Sequence, residues 1–301
     1  MKMHGIKTQV GSRNLLHFKT SQKEMKYNIE YEKSLSLWHV PYKTFYVPTR
    51  FGQTHVITCG PDDGEPLILL HAMGFSSTIW FPNIEQLARK YRVYAIDFIG
   101  DLNKSVPSVL PVNREECGEW LDEVLIGLDI DSCYIGGISY GGFLAINYAM
   151  YASHKVKKMF LLSPASSFAP LHKQFIYRVI AMNAIPLKWS VSKFIKWLSR
   201  HQLNKALVDQ FHAAFRYGSL SLKVPPDVYS EDELKKLAMP VLLLLGEEEV
   251  INDVNMAFYR ATQICKNIRA KIVPETGHLL NLENPQYVNV KINEFLCNEF
   301  H

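Results

Sequence analysis

Residues Gly137-Ile138-Ser139-Tyr140-Gly141 set a glycine-flanked serine between an apolar run, Cys133-Tyr134-Ile135, and a helix-like stretch from Phe143 to Met150. Few local patterns constrain a chain as much. A serine on a sharp strand-to-helix turn sits in a strained backbone, and the flanking glycines remove side chains that would collide there. The hydroxyl is then exposed at the top of a sheet. The pentapeptide alone is a weak pattern, because serine and glycine fill turns everywhere. Between a strand and a helix it points to a nucleophile.

The other parts of such chemistry lie upstream and downstream. Residues 66–71 read as a buried strand ending in His71-Ala72-Met73-Gly74. Acyl transfer builds negative charge on a carbonyl oxygen, which two backbone N–H groups must meet. One comes from the residue after the nucleophile, Tyr140, and the other from the loop after the third strand, where Met73 is the candidate. His71 reads as a brace for that loop. Residues 241–245 form a third apolar run, closed by Gly246-Glu247-Glu248-Glu249, with Asp253 just beyond. A fourth short strand, residues 270–273, precedes Pro274-Glu275-Thr276-Gly277-His278. The chain order is therefore serine, acid, histidine, each after a strand.

Strands and helices alternate through much of the chain. The first two strands, residues 44–49 and 54–59, read as an antiparallel start. The alternation that follows predicts a mostly parallel, doubly wound sheet whose ligands bind at the carboxyl ends of the strands. The segment 165–232 interrupts it with helices rich in aromatics, among them Phe168, Phe175, Tyr177, Trp189, Phe194, Trp197, Phe211, Phe215 and Tyr217. Most of these should pack the segment onto the core, and a minority should line an apolar pocket above Ser139.

With these motifs in place the chain resembles the α/β-hydrolase superfamily over roughly residues 44 to 300. The segment Asp97-Phe98-Ile99-Gly100-Asp101-Leu102-Asn103-Lys104-Ser105 looks like the D-x-x-G-x-G-x-S that follows strand four, with its second glycine replaced. That variant, and the stretch from Leu244 to Asp253, are similar to bacterial carboxylesterases of the carboxylesterase NP type. The resemblance implies an eight-stranded α/β-hydrolase fold with a helical cap between strands six and seven. It divides the chain into an N-terminal arm (1–43), a core (44–164 and 233–301) and a cap (165–232). It also implies a triad of Ser139, His278 and an acid. The family commonly has Asp three residues after the strand-seven glycine, and Glu249 occupies that place; Asp253 is the rival. Glu247 and Glu248 read as solvated loop charges.

Composition bounds the rest. The net charge of +4 is too small to argue for nucleic acid. Residues 1–43 carry eight Lys/Arg against three Asp/Glu, which reads as a solvated basic extension. Five scattered cysteines without C-x-x-C spacing argue against a disulfide framework and a zinc site. Cys133 and Cys297, in apolar runs, read as core residues. No run approaches a membrane span, and the protein reads as cytoplasmic. The expected function is a serine carboxylesterase acting on small to medium apolar esters, without metal or organic cofactor, as monomer or homodimer. Other acyl or C–C hydrolases of the fold (a peptidase, a diketone hydrolase) and a slow-turnover receptor are the alternatives.

Overall fold

The computed structural model describes Phe18, residues 20–184 and residues 186–298. Among these residues nine strands build one sheet: β1 (Tyr42–Thr49), β2 (Gly52–Cys59), β3 (Glu65–Leu70), β4 (Tyr91–Ile96), β5 (Val106–Pro107), β6 (Cys133–Ile138), β7 (Val156–Leu162), β8 (Val241–Gly246) and β9 (Ile268–Val273). Eight of them run in the order β1-β2-β4-β3-β6-β7-β8-β9, and β5 pairs with β2 alone. The hairpin β1–β2 is antiparallel and docks antiparallel on β4; every pairing from β4 to β9 is parallel. This is the expected α/β-hydrolase sheet. The two-residue β5 was not anticipated: Val106-Pro107 carries no alternation to announce a strand.

The helices between and around these strands are α1 (Ser21–Leu35), α2 (Phe81–Leu87), α3 (Arg114–Gly127), α4 (Tyr140–Tyr151), α5 (Lys173–Ala184), α6 (Lys188–Leu198), α7 (Lys205–Tyr217), α8 (Glu231–Leu234), α9 (Val254–Ile264), α10 (Leu280–Glu283) and α11 (Pro285–Cys297). Helix α5 packs on α6, α6 on α7 and α7 on α1. A parallel strand buried on both faces reads as a continuous apolar run, since successive side chains point to opposite sides. In β3, Leu67 and Leu69 join a core layer with Trp80, Ile84 and Ile292, while Ile68 and Leu70 join the other with Trp120, Val124 and Phe143. In β8, Leu242 and Leu244 face the first layer and Val241, Leu243 and Leu245 the second. Helix α4 is apolar on all sides, and ten of its residues are buried.

Local chemistry sets the helix ends. Asn113 caps α3 by accepting from Glu116 N–H at 2.8 Å, with Glu115 and Glu116 in the first turn. Pro285 opens α11 where its missing N–H costs nothing. Ser230 and Glu233 close a capping box on α8.

The N-terminal arm differs from expectation in part. Residues 1–17 and 19 lie outside the described residues, but α1 is no solvated extension. Its Tyr27 and Tyr31 are fully buried. Tyr31 Oη donates to Asp97 Oδ2 at 2.9 Å, and Tyr27 Oη to the Leu102 carbonyl at 2.7 Å. The aromatic content of α1, not its charge, decided its fate. A second correction concerns Cys297, which is exposed beside Tyr91 and Lys90, whereas Cys133 is buried. The last turn of α11 presents its thiol outward.

Candidate active site

Ser139 stands between β6 and α4 with φ 54° and ψ −119°. A non-glycine residue at positive φ is strained, and the surrounding structure must hold it there. Three backbone hydrogen bonds do so: Ser139 N–H donates to Leu162 O at 3.0 Å, and Ser139 O accepts from Phe143 N–H at 3.1 Å and Ala165 N–H at 3.0 Å. The turn leaves no room for side chains. A Cβ on Gly137 would lie 2.2 Å from Gly141 O, and one on Gly141 would lie 2.2 Å from Leu70 O. The Ser139 hydroxyl makes no cap bond to α4. Its partner is instead His278 Nε2, at 2.8 Å.

His278 follows β9 and Glu249 follows β8. His278 Nδ1 lies 2.8 Å from Glu249 Oε2. The other carboxylate oxygen accepts from the N–H groups of Val250 (2.8 Å) and Ile251 (2.9 Å). Both side chains are buried. Burial pushes the Glu249 carboxyl up, but the His278 charge and hydrogen bond, the Ile251 N–H and the Ser163 hydroxyl outweigh it. The net effect holds Glu249 below the usual carboxylate range. The structure thus brings Ser139, His278 and Glu249 into one hydrogen-bonded chain. It does not bring Asp253 there: that side chain caps α9, accepting from Met256 N–H at 2.8 Å.

The loop after β3 is fixed from both sides. His71 is fully buried, and burial lowers its imidazole to about 4. It is therefore neutral, with Nδ1 donating to Ala72 O at 2.9 Å and Nε2 accepting from Phe98 N–H at 3.3 Å. Phe75 N–H also reaches Ala72 O, at 3.1 Å. A trans peptide points its N–H away from its carbonyl, so anchoring Ala72 O fixes the direction of Met73 N–H. The next residue is held too: Gly74 N–H donates to both oxygens of Asp101, at 3.1 and 2.8 Å. On the other side, Tyr140 is the first residue of α4, and the first N–H groups of a helix have no intrahelical acceptor.

Asp101 and Ser163 also serve the site, one by receiving Gly74 N–H and the other by its hydrogen bond to Glu249. Neither carries a catalytic signature of its own in the sequence. Ser163 is buried at φ 40° just after β7. Its signal was its place, the end of a parallel strand beside the two that carry Ser139 and Glu249.

Above Ser139 and His278 lies an apolar cavity of about 390 Å³, counting its opening to solvent. Helix α5 contributes Phe175, Val179 and Met182, α6 Phe194, and α7 Phe211 and Phe215. Among the described residues of its lining, His278 is the one ionisable side chain. Of the expected aromatics, Tyr177 and Trp189 point away and are exposed.

The sheet order and the strained serine at the mouth of β6 define the class: an α/β hydrolase. Comparison with known proteins agrees. The chain belongs to the Alpha/beta hydrolase family, whose model matches residues 67–290. It is 39% identical over 283 residues to the uncharacterized carboxylesterase nap of Bacillus subtilis (strain 168), covering 91% of this chain and 93% of that protein. It is 36% identical over 290 residues to carboxylesterase YbfK of the same strain, covering 94% and 97%. The crystal structure of naproxen esterase (carboxylesterase NP) from Bacillus subtilis superposes with a TM-score of 0.88 at 40% identity, covering 92% of this chain and 99% of that one.

Proposed function

We propose that this protein is a serine carboxylesterase for small to medium apolar esters. The observation that carries the reading is the buried relay Ser139 Oγ–His278 Nε2–Glu249, 2.8 Å at each step, on the floor of an apolar cavity. In this reading Ser139 attacks the ester carbonyl while its proton passes to His278 Nε2. The N–H groups of Met73 and Tyr140 meet the oxyanion, each worth about 3 kcal/mol in the barrier. His278 gives its proton to the leaving alcohol, and water repeats the sequence to free the acid and Ser139. Glu249 holds the imidazole in the tautomer that accepts at Nε2 and stabilises the imidazolium.

Two features support the substrate class. Among the described residues the cavity lining holds no Lys or Arg to receive a charged acid group. The relatives just compared carry carboxylesterase names. Five free cysteines, four of them buried, fit the reducing cytoplasm. The helices α5–α7 act as the cap over the site. The test is a p-nitrophenyl ester panel with a fluorophosphonate probe. The wild type labels and turns over apolar esters; Ser139→Ala does neither. Hydrolysis retained by Ser139→Ala would overturn the site, and labelling without turnover would overturn the esterase reading in favour of a receptor.

A further inference from the structure

Helix α5 has two apolar faces. Phe175, Val179 and Met182 turn inward to the cavity. Ile176, Tyr177 and Ile180 turn outward and are 44%, 67% and 60% exposed. Ile176, Ile180 and the exposed Ala184 recur every four residues, one stripe of the helix surface. Leu187 and Trp189, 46% and 58% exposed, stand at the start of α6. Elsewhere among the described residues large exposed apolar side chains occur singly or in pairs. A cluster of five within fourteen residues marks a contact surface.

The segment that carries the cluster bears charge of one sign. From residue 132 to residue 208 the sequence contains no Asp or Glu. Helices α5 and α6 with their flanks carry Lys173, Arg178, Lys188, Lys193, Lys196 and Arg200. Lys188 pairs with Asp209 and Arg200 with Glu248. Lys173, Arg178, Lys193 and Lys196 have no carboxylate within ion-pair distance among the described residues. Lys193 instead lies 5.2 Å over the Trp189 ring, and Arg178 4.7 Å over Trp197. Exposed Trp, Tyr and Ile ringed by unneutralised cations are the composition of a helix that lies in a lipid–water interface. A second copy of the chain is a poor occupant: a two-fold contact would press this cationic face against itself.

We propose that the outer face of α5–α6 docks on an anionic lipid surface, so that the helix forming the inner wall of the cavity also touches the phase in which apolar esters dissolve. Binding rests on the patch alone; delivery of substrate rests on the esterase reading.

The test is flotation of the full chain with vesicles of phosphatidylcholine alone or with about one-third phosphatidylglycerol, using Ser139→Ala so that no lipid is consumed. Binding to the anionic vesicles is expected to exceed that to neutral ones by about tenfold or more, and to weaken in high salt. Ile180→Ser/Trp189→Ser removes the apolar contact and Lys173→Glu/Lys193→Glu the charge; each should weaken binding about tenfold or more. In the otherwise wild-type enzyme, neither double variant should change turnover of a short soluble p-nitrophenyl ester, which also reports that they fold. Equal affinity for both vesicle types, no binding to either, or binding untouched by both double variants would overturn the proposal. So would a dimer in sedimentation that Ile180→Ser/Trp189→Ser dissociates.

Discussion

Glu249 reaches His278 Nδ1 at 2.8 Å while its second oxygen is clasped by the N–H groups of its own loop, Val250 and Ile251. The extra methylene of a glutamate is thus absorbed by folding the side chain back on its loop. Glu249→Gln should leave the fold intact and lower kcat by about 10³–10⁴-fold, because the amide can present the wrong hydrogen-bonding group to the imidazole. Asp253→Asn should keep kcat within about threefold, since asparagine caps a helix as well as aspartate does. Steady-state kinetics on one p-nitrophenyl ester checks both; a larger loss from Asp253→Asn would reverse the assignment.

Gly137 and Gly141 touch backbone, not yielding side chains. Gly141→Ala should therefore lose about 3 kcal/mol or more, at the upper end for overpacking, because neither the turn nor β3 can step aside. Urea unfolding reads the stability, and fluorophosphonate labelling of the folded fraction reads whether Ser139 keeps its presentation.

His71 gives the protein a pH dependence of known sign. Its imidazole falls from 6.5 to about 4 on burial, so between these values the unfolded chain binds a proton that the folded chain does not. Stability should fall as pH drops from about 6.5 toward 4, by at most roughly 3 kcal/mol from this group. Urea midpoints across that range should show a flatter slope in His71→Gln than in wild type. An unchanged slope would mean that other groups set the acid limit.

Tyr31→Phe removes a buried donor from Asp97, whose other oxygen accepts from Ser77 N–H at 2.8 Å. His55 Nδ1, at 3.0 Å from Asp97 Oδ2, remains. The loss should be about 1–3 kcal/mol, seen in thermal unfolding, with KM for a soluble ester unchanged.

The sheet was legible because each buried strand is a short, continuous apolar run followed by a turn, and residues 241–245 can hardly be read otherwise. The turn at Ser139 was legible because the glycines around it have one steric purpose. Other features were hidden for definite reasons. Glu249 and Asp253 are both acids on one loop, and sequence offset does not say which way a side chain points. The charges of residues 1–43 masked Tyr27 and Tyr31, whose burial depends on acceptors such as Asp97 that are distant in sequence. Asp101 is visible as a letter in a motif, but its work is to receive Gly74 N–H from another loop.

Gln210 of α7 donates to Ser76 Oγ at 2.7 Å and to Tyr27 Oη at 3.2 Å, and accepts from Thr78 Oγ1 at 2.8 Å. One amide thus rivets the third helix of the 173–217 segment to both the loop after β3 and the N-terminal helix. A cavity mouth that widens with these three bonds kept must therefore do so at α5 and α6, not at α7.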